Sequence, residues 1–139
     1  MDSKYDGNIL AVRMYTGEDL VESLAGAFEN IAAPMGILVS AAGMIKNAKY
    51  GYFEGAGRYS YNSFDEPREI VSLTGNLVRS DSRTYRHLHV AVAGSDGIVN
   101  GGHLESALVH GTAEIFIVAS RIEAKREKEE ETGLEGLRL

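Results

Sequence analysis

Apolar residues recur at helical spacing in one segment near the start of the chain. Between Leu20 and Ile31 they lie three or four residues apart, which predicts one amphipathic helix with a single apolar stripe. Thr16 is the predicted N-cap, and Asp19 three residues later forms an approximate capping box. Pro34 ends the helix, because proline lacks a backbone N–H and clashes with the preceding turn.

The other apolar segments have the length and the residue types of strands. They span residues 8–15, 36–45, 49–54, 69–78, 85–93, 102–109 and 112–120. The near-continuous apolar run of residues 36–45 predicts a strand that is buried on both faces. So many strands beside one strong helix predict a largely antiparallel sheet with few helices, which is an α/β (α+β) fold.

The length of 139 residues is that of one domain, so we expect residues 1–139 to form a single unit. A charged C-terminal tail begins at about residue 121 and predicts a solvated helix or an exposed arm. Leu134, Leu137 and Leu139 then return to apolar character. A terminus of this kind is often docked, and a neighbouring subunit is one candidate surface.

Composition and charge exclude several classes of function. The chain has no cysteine, so a transition-metal site must use imidazole and carboxylate ligands. The formal net charge is −6, whereas duplex DNA requires a cluster of basic residues. Arg79, Arg83 and Arg86 come nearest to such a cluster, and we interpret them as a solvated face. Direct nucleic-acid binding is therefore not expected.

Neither a membrane segment nor a secretion signal is apparent. The longest apolar run, residues 31–45, is too short and too interrupted to span a bilayer. The first residues lack the basic start and the apolar stretch of a signal peptide. A cytoplasmic location without a membrane partner is the expectation.

A histidine motif carries the candidate chemistry. His87 and His89 are two residues apart on a predicted strand, so both side chains project from the same face. An Asp-Gly turn then sends the chain back, which brings His103 beside them on an antiparallel partner. Gly101 and Gly102 precede His103 and predict tight backbone geometry, since glycine lacks a Cβ and tolerates positive φ. The three histidines predict a metal site.

The spacing alone leaves alternatives open. A His-x-His pair on a strand is often two surface or core histidines and not a metal site. His110 has the opposite strand parity and is excluded unless a bulge intervenes. Glu105, Glu54 and Glu114 are candidates for a fourth ligand, or for an acceptor that orients a ligating imidazole. Arg13 is either a salt-bridge partner or an anion-binding residue.

The ordered set of motifs resembles the PPC (plants and prokaryotes conserved) domain in its stand-alone prokaryotic form. The matching segments are Arg13 with Thr16-Gly17-Glu18-Asp19-Leu20, Gly51-Tyr52-Phe53, residues 69–76, His87-Leu88-His89, Asp96-Gly97, Gly101-Gly102-His103-Leu104 and Thr132-Gly133-Leu134. The resemblance implies a mostly antiparallel sheet of about seven strands flanked by a few helices, a homotrimer, and zinc on His87, His89 and His103. Plant members add an AT-hook, and this chain has no Arg-Gly-Arg-Pro core, so that activity is not implied.

Three functions are compatible with these features. The first is a trimeric metal-binding protein with a small-molecule or regulatory role. The second is a zinc-dependent lyase or hydrolase acting on a keto or hydroxy acid, since three histidines leave an open coordination position; Arg13 would then hold the carboxylate. The third is a protein-interaction or DNA-associated regulatory module. No catalytic residue is assigned, and the sequence does not decide whether the protein is an enzyme.

Overall fold

Two long strands organise the fold. The computed structural model describes residues 1–80 and 83–139. The elements are β1 (Asp2–Tyr5), β2 (Ile9–Tyr15), α1 (Leu20–Glu29), β3 (Met35–Gly55), β4 (Arg58–Phe64), β5 (Arg68–Ser80), β6 (Arg83–Ala93), β7 (Val99–Ser120), β8 (Lys125–Lys128) and β9 (Glu135–Arg138). Seven strands form one sheet in the order β1-β2-β7-β6-β5-β3-β4, with antiparallel neighbours. An additional antiparallel pairing of β7 with β3 closes β3, β5, β6 and β7 into a ring. The predicted mostly antiparallel fold of seven strands is confirmed.

The long strands β3 and β7 join segments that the sequence predicts as separate strands. Residues 36–45 and 49–54 both belong to β3, and residues 102–109 and 112–120 both belong to β7. The β3–β7 register shifts four times, including between Gly43 and Met44. A bulge of this kind bends a strand without ending it and changes which residues face the core. The alternation of apolar residues is therefore interrupted at a bulge, although the strand itself continues through it.

The helix α1 packs against β2, β6 and β7. Its N-cap is Asp19, whose carboxylate accepts a hydrogen bond from the Glu22 N–H at 2.9 Å. The prediction of Thr16 as N-cap is wrong, because its hydroxyl accepts instead from the Gly111 N–H at 2.7 Å. In the described part of the chain α1 is the one α-helix, and no helix is long and apolar enough to span a membrane.

One outer face of the sheet is apolar and exposed. Leu38 on β3 is buried, but Ile37 and Val39 are 37% and 56% exposed. The prediction that this strand is buried on both faces is therefore wrong for a single chain. Phe116 on β7 is 42% exposed and Ile9 on β2 is 36% exposed. Ile9 and Ile37 both pair with Val118, so these residues are neighbours, and we call Ile9, Ile37, Val39 and Phe116 the apolar face.

The charged tail forms a β-hairpin in place of the predicted helix or exposed arm. Strands β8 and β9 pair in register, with Arg126 opposite Leu137. The turn between them is held to the β3–β4 turn, where the Gly57 N–H donates to the carbonyl of Thr132 at 2.7 Å. The hairpin thus lies against its own chain, and this position brings it beside the histidines.

Candidate metal centre

His87 and His89 project together from the outer face of β6. Between and after them, Leu88 and Val90 point into the core and are 1% and 4% exposed. The alternation along a strand places the two imidazoles on the opposite side, as the spacing predicts. The Nε2 atoms of His87 and His89 are 3.3 Å apart.

A short turn brings His103 to the same place. Gly97 adopts a φ of 76°, and its N–H donates to the carbonyl of Gly94 at 2.9 Å. The chain then returns as β7, in which His103 pairs directly with His89. The His103 ring centroid lies 5.4 Å from that of His87 and 5.5 Å from that of His89. The predicted hairpin therefore brings the three histidines together.

Gly101 and Gly102 allow the tight backbone geometry that the sequence predicts, through the missing Cβ and without a positive φ. A Cβ on Gly101 would lie 2.0 Å from the carbonyl oxygen of Val90 on β6. A Cβ on Gly102 would lie 2.5 Å from the carbonyl oxygen of Gly51 on β3. These glycines let β7 run tightly between its two neighbours just before His103.

The donor set fits a tetrahedral transition-metal ion. One nitrogen from each of the three histidines lies within 4.8 Å of the others. Zn–N bonds in a tetrahedral site separate two nitrogens by about 3.3–3.4 Å, which the His87–His89 pair already matches. The Nδ1 atom of His103 is buried without a hydrogen-bond partner. Three imidazoles would leave one coordination position open.

The surroundings of His87 and His103 keep these two imidazoles neutral, which is the form that binds metal. Burial, followed by the charges of Arg126, His103 and His89, lowers the pKa of His87 to about 4. Burial also lowers the pKa of His103, followed by the charge of His89, while Glu105 opposes the change. Both rings therefore present free lone pairs near neutral pH.

We expect the His87 ring of the metal-free protein to titrate near pH 4, well below its ordinary pKa of 6.5. Because the folded state binds this proton less tightly than the unfolded state, the unfolded chain takes up more protons on acidification. The contribution of this ring to the free energy of unfolding is therefore complete above pH 6.5 and is lost as the pH falls from 6.5 to about 4. Histidine NMR titration measures the midpoint, and Arg126→Gln should raise it. A midpoint near 6.5 would contradict the expectation.

The other candidate residues occupy different places. Glu105 is exposed two residues beyond His103, and its charge acts on that ring. Arg13 pairs with Glu114 on the β2–β7 ladder and lines a separate depression. Glu54 is exposed near the end of β3. No carboxylate of the described residues joins the three-histidine group.

His110 lies outside the group of three histidines, but for a reason other than strand parity. Leu104 is buried, and so are Ala107 and Val109, so the inward-facing parity changes between residues 104 and 107. A register shift occurs there, between the pairs Lys49–Ser106 and Tyr50–Leu104. His110 therefore shares the outer face with His103, and its distance along the strand keeps it from the site.

A cavity of about 440 Å³ adjoins the histidines. The sheet contributes His87, His103 and Tyr59, whose ring lies 5.1 Å from the His103 ring. The C-terminal hairpin contributes the opposite wall, including Arg126 and Leu137. These hairpin residues are not among the sequence candidates. The leucines at the terminus were the one signal of docking, and two of them, Leu134 and Leu137, line this cavity.

The arginines of β5 and β6 make hydrogen bonds and ion pairs with other parts of the chain. Arg79 donates to the backbone carbonyls of Phe28, Glu29 and Ile31 at 3.2, 3.3 and 3.0 Å, so it satisfies the end of α1. Arg86 forms an ion pair with Glu22 at 3.0 Å. Arg83 lies 3.6 Å from the Glu135 carboxylate. These three arginines therefore form intramolecular contacts.

The chain is similar to a known domain family and to solved structures of other proteins. The family model of the Plants and Prokaryotes Conserved (PCC) domain matches residues 1–120. A metal-containing protein from Archaeoglobus fulgidus is 32% identical, with 100% of this chain and 99% of that chain covered and a TM-score of 0.86. A plant- and prokaryote-conserved (PPC) protein from Pyrococcus horikoshii is 28% identical, with 96% and 94% covered and a TM-score of 0.83.

Curated sequences show the same region inside longer proteins. The bifunctional protein GlmU of a Synechococcus strain is 30% identical over 113 residues. The match covers 81% of this chain and 17% of that protein. The chain thus spans less than a third of the length of the curated relatives it matches.

Proposed function

Because the chain belongs to the Plants and Prokaryotes Conserved domain family, we propose that it is a metal-binding member of that family, with zinc on His87, His89 and His103. The single observation that carries the proposal is the convergence of three imidazoles from β6 and β7. The metal-containing relative from Archaeoglobus fulgidus supports it. Zinc suits an all-imidazole donor set in a chain without cysteine, although copper, nickel and iron accept the same ligands.

Metal analysis of the purified chain tests the proposal. The protein is stripped with a chelator, reloaded with zinc, passed over a desalting column and measured by elemental analysis. We expect about one zinc per chain, since the three histidines form one site. Less than ~0.2 zinc per chain after reloading would contradict the proposal.

The open position and the cavity favour a role for the metal with small molecules. Zinc with an exchangeable ligand polarises a carbonyl oxygen or lowers the pKa of bound water. The cavity of about 440 Å³ beside His87 and His103 gives a ligand access to that position. A metal-dependent lyase or hydrolase is therefore the second candidate function. A direct nucleic-acid role is not proposed, because the net charge is −6 and the arginines of β5 and β6 make intramolecular contacts.

We also propose that the chain assembles as a homotrimer through the apolar face. Apolar side chains of β2, β3 and β7 lie side by side there, with Val39 56% exposed and Phe116 42% exposed. Contiguous exposed apolar surface of this kind marks interaction sites. The run of residues 36–45 is nearly all apolar, as in a strand covered on both sides.

Phe116→Asp should dissociate the assembly, because a charge at the centre of a buried apolar interface is costly to desolvate. Light scattering should then give the mass of one chain, 15.1 kDa, in place of the roughly 45 kDa of three such chains. The matched control is Ile98→Asp, a 60% exposed residue in the β6–β7 turn, outside the apolar face. Wild-type protein that runs as a monomer would rule the assembly out.

A further inference from the structure

Arg126 is a partly buried cation whose hydrogen bonds within the described residues go to neutral groups, and the Glu135 carboxylate acts on it only beyond ion-pair distance. Its Nη1 donates to the backbone carbonyl of Glu135 at 3.0 Å, and its Nη2 donates to the side-chain oxygen of Asn76. The Nε atom is buried and has no hydrogen-bond partner. The ion pairs of the described residues do not include Arg126. Placing a guanidinium away from water without a carboxylate partner costs free energy, so a role in binding is the natural explanation.

Its position is beside the candidate metal site. Asn76, which accepts from Arg126, lies directly opposite His87 on the β5–β6 ladder. Arg126, His87 and His103 line the same cavity. The hairpin is held there at both ends, because its turn is bonded to the β3–β4 turn and Arg126 is bonded to β5. The guanidinium therefore shares a cavity with two of the three histidines.

We infer that this cavity binds a small carboxylate, with one oxygen on the metal and the other on the guanidinium of Arg126. The inference rests on the proposed metal site. A divalent ion held by three neutral imidazoles adds two positive charges to that of Arg126. An anion that bridges the two would be attracted by both and would accept charge-assisted hydrogen bonds.

The remaining walls favour a monoanion with an apolar part over a phosphate. Glu129 and Glu135 also line the cavity, and their charges oppose a multiply charged ligand. Arg86 lines it too, but its charge is paired with that of Glu22. Leu134 and Leu137, together with the Tyr59 ring, offer apolar surface for a short carbon chain. The volume of about 440 Å³ lies in the range of small-molecule sites.

The carboxylate-binding wall belongs to the part of the chain beyond the family match. The family model covers residues 1–120, whereas Arg126, Leu134 and Leu137 lie after it. Arg13, the sequence candidate for carboxylate binding, lines a different depression with Glu114. In this proposal the hairpin supplies the anion-binding arginine, a role that the sequence left as one of two alternatives for Arg13.

The test uses the full chain loaded with cobalt(II), whose visible spectrum reports a change of ligand at the metal. Sodium lactate is titrated into wild-type, Arg126→Gln, Arg126→Lys and Lys128→Gln proteins, after the cobalt content of each is measured. Lys128 is the matched control, because it is an exposed cation on the same hairpin and does not line the cavity. We expect Arg126→Gln to weaken lactate binding about ten- to a hundredfold at unchanged cobalt content. Arg126→Lys should recover part of the loss, and Lys128→Gln should bind as wild-type does.

The outcomes separate this inference from the proposed function. If wild-type protein takes up cobalt but lactate leaves the spectrum unchanged, the carboxylate site is wrong and the metal site stands. Equal lactate binding by wild-type and Arg126→Gln, or a response to inorganic phosphate alone, also overturns it. If the chain takes up no metal, both fall. Full cobalt content in Arg126→Gln shows that the variant is folded, and Arg126→Lys supplies a second measurement if it is not.

Discussion

Replacing His87 and His89 together by alanine should abolish metal binding, with bound zinc falling from about one to below ~0.2 per chain. Loss of an outer-shell partner alone lowers metal affinity by about 10–100-fold, so loss of two of the three ligands should exceed a hundredfold. The wild-type Nε2 atoms lie 3.3 Å apart on the outer face of β6. Both substitutions are therefore expected to leave the core packing intact.

His110→Ala is the matched control for that measurement. His110 is on the same strand as His103 but does not belong to the three-histidine group. It should retain about one zinc per chain and the increase in melting temperature that zinc gives to the wild-type protein. A double variant that holds as much zinc as His110→Ala would show that the ion binds elsewhere.

Gly75→Ala should destabilise the protein by about 3 kcal/mol or more. Gly75 adopts a φ of 137°, a conformation that residues with a Cβ rarely take. An added Cβ would lie 1.9 Å from the carbonyl oxygen of His87, so β6 must move away from β5. Because that movement displaces His87, metal affinity should fall together with the midpoint of urea unfolding.

Gly55→Ala separates the two causes of that loss. Gly55 also has a positive φ, 97°, but an added Cβ would meet nothing within 4 Å. Its destabilisation should be about 1 kcal/mol, the cost of backbone strain alone, with normal metal content. If Gly75→Ala and Gly55→Ala lose equal stability, the steric clash between β5 and β6 contributes little to the destabilisation by Gly75→Ala.

The alternation of side chains along one strand was sufficient to predict that His87 and His89 share a face. Leu88 is 1% exposed and Val90 is 4% exposed, so the parity of β6 follows from its apolar residues alone. Asp96 and Gly97 similarly predict the turn that returns the chain to His103. The prediction failed where a bulge changed the parity, as it does between Leu104 and Ala107 on β7. A bulge depends on the partner strand, which one segment read alone does not reveal.

Charge patterning was misleading in the tail. A segment rich in glutamate, lysine and arginine is compatible with a helix, an arm or a strand, because each can expose its charges. What decided its structure is the surface on which it docks. The Gly57 N–H donates a hydrogen bond to the Thr132 carbonyl, and the Asn76 side chain accepts one from Arg126. Both anchors are distant in sequence from the tail, and 50 residues separate Asn76 from Arg126.

The sequence by itself determined the strand-rich antiparallel fold, the shared face of His87 and His89, and the hairpin that returns to His103. These features follow from periodicity and turn chemistry, which act between near neighbours. Only the tertiary structure decided that Arg126, and not Arg13, lies beside the histidines. Arg13 lies in an apolar strand and Arg126 in a charged one. Neither local pattern indicates the distance from the site, because that distance depends on how distant strands pair. Long-range pairing and docking therefore determined the shape and the charge of the cavity at the metal site.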